Sequence, residues 1–174
     1  MGQDAVTDAG VAETSLAAPV APAPDFVAEY TYGLDAKSRV VMPAAFRSGF
    51  ADGGYLTAWQ GECLAAMPRA EWDAYIAHMK HQLAVAHVER PDAVLREIRR
   101  SATDFKLDIQ GRLTLTEAQR EAAGLGTEVR FVGQGARVEL WPAEETEEQV
   151  AEREDHRGTI SMLQLDYDVP RQGA

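Results

Sequence analysis

The chain has 174 residues, of which 45% are hydrophobic and 26% are charged, a composition that supports a packed domain and argues against global disorder. The sequence contains no uninterrupted apolar run of eighteen residues, so we expect no transmembrane helix. Its one cysteine, Cys63, excludes an internal disulfide and is typical of a protein from a reducing cytoplasm.

The formal net charge of −11 is concentrated at the two ends of the chain. Residues 1–25 hold four acidic side chains and no Lys or Arg, and residues 143–174 hold nine acidic side chains against three Arg. Residues 26–142 carry fifteen acidic and fourteen basic side chains, so this part is close to neutral. A strongly acidic total would argue against a nucleic-acid partner, but this distribution leaves room for a local basic patch.

Residues 1–25 are rich in Ala and Pro and contain no aromatic side chain, which predicts a disordered arm. A secretory signal needs a basic start followed by a compact apolar stretch. This segment instead carries Asp4, Asp8 and Glu13. We therefore expect the folded part to begin at Phe26.

Residues 26–83 predict a first β–turn–β–α–β–turn–β unit followed by a helix. FVAEYTYGL and RVVM are β-rich runs, Pro43 suits the start of a short helix, and GYLTAW and CLAAM flank the hairpin signal QGE. From Pro68 to Leu83, apolar side chains recur at spacings of three and four, which predicts a helix with one packed face: Trp72, Tyr75, Ile76, Met79 and Leu83. We expect residues 84–102 to form a linker with a shorter helix, VLREIRR.

Residues 103–156 predict a second unit of the same order. TEAQREAAG starts with a capping box, Thr116 and Gln119, and stops at Gly124. TEVRFVG and ARVELW then flank a glycine-bearing turn. A Glu-rich helix is expected to end near His156, and residues 157–174 are expected to form a flexible tail.

The two units are copies of each other. An offset of 73 positions, which becomes 74 after one inserted residue, aligns about forty positions of each half. The aligned pairs include Asp35 with Asp108, Arg39 with Arg112, Met42 with Leu115, Arg47 with Arg120, and Leu64 with Val138. Both copies therefore contain the pattern Asp-x-x-x-Arg between two β-rich runs.

Two interpretations of this pattern remain open. Asp35 is expected to open a tight turn and accept hydrogen bonds from the backbone. Lys37 and Arg39, with the small Ser38 between them, would then project to one side, where they could contact a phosphate or a base edge. The alternative is that Asp35 and Arg39 form an ion pair across the turn, since exposed ion pairs are common and weak.

The duplicated segments DAKSR and DIQGR, each followed by an apolar strand and a short helix, resemble the MraZ family. This resemblance runs from about Phe26 to Glu154, and its strongest segments are LDAKSRVVMPAAFR and LDIQGRLTLTEAQRE. It implies an α+β fold of two tandem AbrB/SpoVT-like swapped-hairpin repeats that form a small pseudo-symmetric β-barrel with peripheral helices.

The resemblance also implies a function. It suggests a cytoplasmic, nucleoid-associated transcriptional regulator that assembles into a homo-oligomeric ring. Such a ring would bind double-stranded DNA at short G-rich direct repeats, upstream of the division and cell-wall gene cluster that contains its own gene. No cofactor, metal, membrane or small-molecule substrate is implied.

Residue by residue, the resemblance assigns DNA contact to the first motif, at Lys37, Ser38 and Arg39. Arg39 is expected to contact guanine O6 and N7, and Lys37 a phosphate.

The second motif has the neutral Gln110 in place of Lys37. Asp108 and Arg112 are therefore expected to be mainly structural, and Asp35 is likewise expected to be a structural residue of the motif. Two positions depart from the family pattern: Val27 stands where family members usually have Arg, and Ser38 where they usually have Gly.

Other functions find less support in the sequence. His78, His81 and His87 are expected to be surface residues, because no cysteine or carboxylate completes a metal-binding pattern. Cys63 is expected to be a small buried hydrophobe. No phosphate loop, dinucleotide fingerprint or nucleophile elbow is present, so we expect no enzyme. The alternative function is an oligomeric interaction scaffold or antitoxin-like module of the same fold that binds no operator.

Overall fold

The computed structural model describes residues 23–60 and 62–165. The predicted disordered arm lies mostly outside these residues, as does the end of the predicted tail. A short 3₁₀ turn, Ser48–Phe50, follows the first helix. The helices and strands are, in chain order, β1 (Glu29–Gly33), β2 (Arg39–Val41), α1 (Ala44–Arg47), β3 (Gly54–Trp59), β4 (Cys63–Pro68), α2 (Arg69–Val85), α3 (Pro91–Ser101), β5 (Thr103–Phe105), β6 (Arg112–Thr114), α4 (Glu117–Ala122), β7 (Glu128–Gln134), β8 (Arg137–Pro142) and α5 (Glu147–Leu165).

The two copies interleave in one six-stranded antiparallel sheet of order β1-β7-β8-β4-β3-β5. Exchanging the equivalent strands of the two copies reverses this order onto itself, so the sheet has a pseudo-twofold axis at its centre. At that axis Leu64 lies opposite Leu140 and Ala66 opposite Val138. Each copy gives its first strand to the other: β1 pairs with β7, and β5 pairs with β3. The predicted swapped hairpin is therefore present within a single chain.

A separate two-stranded ribbon, β2 with β6, covers one face of this sheet. Val40 and Leu113 lie opposite each other in the ribbon and are 0% exposed. Burying an aliphatic side chain of this size contributes roughly 1.5–3 kcal/mol. Both side chains belong to the main hydrophobic core, together with the aromatic residues Phe26, Phe46, Phe50, Phe105 and Phe131. The ribbon is therefore fixed to the sheet by its inner face.

Helices α2 and α3 cover the opposite face of the sheet. Alternation along β4 directs Leu64 and Ala66 into the main core and Ala65 and Met67 into a second cluster beneath α2. Trp72, Ile76 and Leu83, on the predicted stripe of α2, are buried, and Tyr75 and Met79 are half-buried. The ribbon and the α2–α3 layer therefore lie on opposite sides of the sheet.

The start of α5 is fixed to the sheet by ion pairs. Glu145 binds the buried Arg130 on β7 and also pairs with Arg153 at 2.9 Å, two turns into the helix. Thr146 and Gln149 form a reciprocal cap: the Gln149 N–H donates to Thr146 Oγ1 at 3.2 Å, and the Thr146 N–H donates to Gln149 Oε1 at 3.1 Å. The helix continues past His156 to Leu165, beyond the end that the sequence predicted.

The predicted α+β class with two tandem repeats is confirmed. The predicted capping box at Thr116 and Gln119 is also present, and Gly124 takes the left-handed conformation expected after a helix end, with φ of +60°. The expected barrel closure is not found, because the pairing within residues 23–60 and 62–165 leaves β1 and β5 as two sheet edges. None of the helices in these residues is long and apolar enough to cross a membrane.

Candidate nucleic-acid interface

The first Asp-x-x-x-Arg motif folds into a tight turn closed by its own aspartate. Asp35 Oδ1 accepts hydrogen bonds from the backbone N–H groups of Lys37, at 2.8 Å, and Arg39, at 3.0 Å. Two backbone bonds complete the turn: the Ser38 N–H donates to the Asp35 carbonyl, and the Asp35 N–H donates to the Arg39 carbonyl. The prediction that Asp35 organises this turn is confirmed.

The second motif repeats this geometry bond for bond. Asp108 Oδ1 accepts from the N–H groups of Gln110 and Arg112, both at 2.9 Å. The Gly111 N–H donates to the Asp108 carbonyl, and the Asp108 N–H donates to the Arg112 carbonyl. Gly111 has a φ of +74°, and Ser38 occupies the same left-handed region in the first turn with a φ of +56°. The duplicated pattern therefore encodes one backbone structure twice.

Each arginine also pairs with the aspartate of its own turn. Arg39 Nε and Nη2 lie 2.8 and 2.6 Å from Asp35 Oδ2, and Arg112 Nε lies 2.7 Å from Asp108 Oδ2. The arginine side chains remain 27% and 24% exposed. A guanidinium has five N–H donors, so these contacts do not exhaust it. The ion pair across the turn, one of the two interpretations left open, is present, and it leaves both guanidinium groups accessible.

The ion pairs shift the pKa values of their members. The pKa of Asp35 falls from its usual 3.8 to about 2, mainly because Arg39 donates to the carboxylate and secondarily because of the backbone N–H groups. The pKa of Asp108 is also lowered, chiefly by the Arg112 backbone N–H. The pKa of Arg39 is raised by Asp35, with a smaller effect from Asp108. Both carboxylates are therefore ionised at neutral pH, and each aspartate balances the charge of the arginine in its own turn.

The two turns lie at opposite ends of one surface. In the β2–β6 ribbon Arg39 is opposite Thr114, and Arg112 is opposite Val41. Because Val40 and Leu113 point into the core, their neighbours along each strand project from the outer face of the ribbon. We call this outer face, with residues 35–41 and 108–114, the ribbon face.

The ribbon face belongs to a two-stranded antiparallel ribbon with exposed side chains at both turns. The major groove of DNA, about 12 Å wide, admits a two-stranded β-ribbon. Lys37 is exposed at the first turn, and Arg39 projects from the adjacent strand. The second turn presents the neutral Gln110 and the exposed Ile109 instead. The ribbon face is therefore symmetric in backbone and asymmetric in charge.

The other residues singled out in the sequence lie away from this face. Cys63 is buried, and burial together with the nearby Glu139 raises its pKa to about 12, so its thiol stays protonated. His78, His81 and His87 are all exposed. Within residues 23–60 and 62–165, no group of three or more His, Cys, Asp or Glu side chains is arranged to hold a metal ion.

Sequence reasoning did not assign a role to Arg120. This residue on α4 donates from Nη1 to Ser38 Oγ at 3.1 Å, across 82 positions of sequence. The alignment of Arg47 with Arg120 was the signal available, since a cation at the same place in both copies indicates a shared structural role.

Comparison with known proteins gives a consistent result. The profile of one family, described as "MraZ protein, putative antitoxin-like", matches residues 26–93 and 98–161. A transcriptional regulator MraZ of Leuconostoc mesenteroides is 33% identical over 146 residues, which cover 83% of this chain and 99% of that protein. Proteins of the same name from Micrococcus luteus and Desulforamulus reducens are each 34% identical, over 74% of this chain and 89% of their own length.

Proposed function

The chain belongs to the MraZ family, and from this premise we propose that it is a sequence-specific DNA-binding transcriptional regulator that performs no catalysis. The observation that carries the proposal is the ribbon face, where Lys37 and the half-exposed Arg39 project from one end of a narrow β-ribbon. The names of the curated relatives support the regulatory role.

Arg39 is the proposed base reader. Asp35 binds the guanidinium through Nε and Nη2, which restricts its rotation before DNA arrives. A preorganised guanidinium loses less conformational freedom on binding, and a bidentate contact to guanine O6 and N7 discriminates by roughly 1–3 kcal/mol. This chemistry supports a preference for G-rich sites.

Lys37 is the proposed phosphate contact. Its ammonium is exposed, and its backbone N–H is bound by Asp35, so the turn carries the charge at a fixed point. Ser38, between the two cations, sets their relative position. In the second turn Gln110 cannot replace this charge, and we propose that Asp108 and Arg112 are mainly structural there.

We further propose that the protein acts as a ring-shaped homo-oligomer in the cytoplasm, associated with the nucleoid. One protomer supplies few cations, and residues 26–142 are nearly neutral. Several identical ribbon faces that meet direct repeats in phase would multiply a weak contact through effective concentration. The proposed site is a set of short G-rich direct repeats upstream of the division and cell-wall gene cluster.

The test compares Arg39→Ala with Arg112→Ala in a gel shift with the DNA just upstream of the gene. Both variants remove the same kind of ion pair with closely similar geometry, so their losses of thermal stability should match. Arg39→Ala is expected to abolish retention of the DNA, while Arg112→Ala retains it. Both should elute at the wild-type volume in size-exclusion chromatography.

Three outcomes would count against this proposal. Equal retention by both arginine variants would remove the assignment of the reader. Equal loss would mean that the ion pairs act through folding. A monomeric mass by light scattering, with and without DNA, would remove the ring.

A second function rests on the antitoxin-like description of the family and on the acidic ends of the chain. In this alternative the protein is an interaction scaffold of the same fold that binds no operator. Salt dependence distinguishes the two functions, because DNA affinity falls with a log–log slope of about −0.9 per neutralised phosphate. Capture of a protein partner that is insensitive to salt and free of DNA would support the scaffold.

A further inference from the structure

Each turn of the ribbon face is held by the opposite repeat. The Leu115 N–H donates to the Ser38 carbonyl, and the Met42 N–H donates to the Gly111 carbonyl, both at 2.9 Å. These contacts are equivalent under the pseudo-twofold relation, because each joins a turn of one copy to the strand end of the other. The position of the first turn therefore depends on residues of the second repeat.

An arginine from the opposite repeat completes each brace. Arg47 lies directly against Gly111, where a Cβ would be only 2.7 Å from Arg47 Nε. In this position Arg47 Nε donates to the Met42 carbonyl at 2.8 Å. The second turn is thus braced by an arginine that packs flat on a glycine.

The equivalent brace at the first turn is built differently. Ser38 has a Cβ where the Arg47 side chain fills the space at Gly111, and Arg120 donates from Nη1 to Ser38 Oγ. Arg120 Nε is buried, and within residues 23–60 and 62–165 it has no hydrogen-bond partner. Arg120 therefore donates to the hydroxyl of Ser38, whereas Arg47 donates to a backbone carbonyl.

The first turn has a specific need for this bond. Ser38 lies in the left-handed region, which residues other than Gly, Asn and Asp rarely adopt. It also connects Lys37 directly to Arg39, so any relaxation of Ser38 moves both cations. Arg120 is half-buried and lies behind the turn, on a helix whose Glu117 and Glu121 are exposed.

From this geometry we propose that Arg120 is a positioning residue for DNA binding. It holds the Ser38 hydroxyl and thereby sets the relative positions of Lys37 and Arg39 on the ribbon face. The proposal rests on the proposed function, since it assigns a support to the same site. Arg120 itself contacts no DNA, and the charge that meets the phosphate stays that of Lys37.

The test measures DNA affinity over a range of salt concentrations for Arg120→Met, Arg120→Lys and Lys37→Gln. Arg120→Met should weaken binding about tenfold, as expected for loss of a hydrogen bond from a charged donor, and should leave the salt slope unchanged. Lys37→Gln should reduce the slope by about 0.9. Arg120→Lys should recover part of the affinity, because an ammonium can still donate to the Ser38 hydroxyl.

The matched control is Arg47→Met, which removes the equivalent brace from the second turn. It should change DNA affinity less than threefold, although it removes a comparable set of contacts. Backbone amide chemical shifts give a second measurement: Arg120→Met should move the resonances of Lys37 and Arg39, and Arg47→Met those of Gln110 and Arg112.

The outcomes are distinguishable. An unchanged affinity in Arg120→Met, or a slope reduced by about 0.9, would overturn the proposal, the second because Arg120 would then neutralise a phosphate itself. If Arg120→Met does not fold, Ser38→Ala and Ser38→Gly decide the question together. Ser38→Ala removes only the hydroxyl and should lose affinity at constant slope, whereas Ser38→Gly should recover the affinity. Equal weakness of the two variants would overturn the proposal, because the hydroxyl would then act on the DNA directly. If Lys37→Gln and Arg39→Ala also bind normally, it is the proposed function that has failed.

Discussion

The two turns of the ribbon face share a backbone and differ in the three residues between Asp and Arg. In both, the aspartate accepts from two backbone N–H groups and from the arginine four positions on. The first turn contains Ala-Lys-Ser and the second contains Ile-Gln-Gly. The comparison teaches that Asp and Arg are required by the turn itself, so their recurrence alone does not indicate DNA binding.

The variable positions are therefore expected to decide which of the two shared arginines reads DNA. Each Asp–Arg pair is ionised and neutral overall, which leaves Lys37 as the net charge of the first turn and no net charge on the second. The second turn also exposes Ile109 where the first has Ala36. We therefore propose that the first turn meets a polyanion and that the second turn, which has no net charge, supports the fold.

The largest difference in stability between the two turns is expected when the residue before each arginine is replaced by alanine. Gly111→Ala places a Cβ at positive φ and against Arg47, so we expect a loss of about 2–3 kcal/mol in the free energy of unfolding. Ser38→Ala keeps an existing Cβ and loses one hydrogen bond, so about 1 kcal/mol is expected. Urea denaturation of both variants measures the difference, and equal losses would mean that the braces are alike.

Lys37 and Gln110 are the central residues of the two turns, and exchanging them should move the net positive charge from the first turn to the second. Lys37→Gln should weaken DNA binding roughly fivefold at 0.15 M salt, the effect of one phosphate contact, and lower the salt slope by about 0.9. Gln110→Lys tests whether the second turn also approaches a phosphate. An unchanged slope in that variant supports a structural role, whereas an increase of about 0.9 would mean that both turns meet the DNA.

Much of the fold followed from the duplication. Pairing the copies at offsets of 73 and 74 anticipated which residues are equivalent, and Leu64 and Val138 are indeed symmetric about the sheet centre. The stripe on α2 and the capping box at Thr116 depend on neighbours three or four positions away, which sequence spacing reports directly.

Other features depend on contacts between residues far apart in the sequence, which the spacing of residues along the chain does not predict. The sheet is open because, within residues 23–60 and 62–165, β1 and β5 each pair with one strand only. Helix α5 is longer than expected, because it continues through Gly158 and Thr159 although both have low helix propensity. Its start is fixed by Glu145. At the site, the Asp–Arg turn was predictable from local chemistry, but the Arg120 brace required the tertiary structure.

Acid titration of the wild type and of Arg39→Ala tests whether each aspartate is paired with the arginine of its own turn. Asp35 has a folded-state pKa of about 2 against a usual 3.8, so its contribution to stability is present above pH 3.8 and is lost as pH falls toward 2. Carboxyl carbon chemical shifts should follow this titration. Arg39→Ala should raise the pKa of Asp35 toward 3.8 and leave that of Asp108 low. A wild-type Asp35 that titrates near 3.8 would mean that the ion pair does not persist in solution.

The smallest effect is expected for Ser38→Gly, which gives the first turn the residue of the second. Glycine relieves the strain at positive φ, but it loses the hydroxyl bond to Arg120 and adds freedom to the unfolded chain. Terms of about 1 kcal/mol in opposite directions should leave the free energy of unfolding within about 1 kcal/mol of the wild type.

The same variant should nevertheless bind DNA better than Ser38→Ala does. With no Cβ at position 38, Arg120 can pack flat on the turn and donate from Nε to the Leu115 carbonyl, as Arg47 does to Met42. We expect an affinity within about threefold of wild type, because a bond of the same kind is restored. If Ser38→Gly instead binds as weakly as Ser38→Ala, the serine hydroxyl acts on the DNA directly and the two braces are not interchangeable.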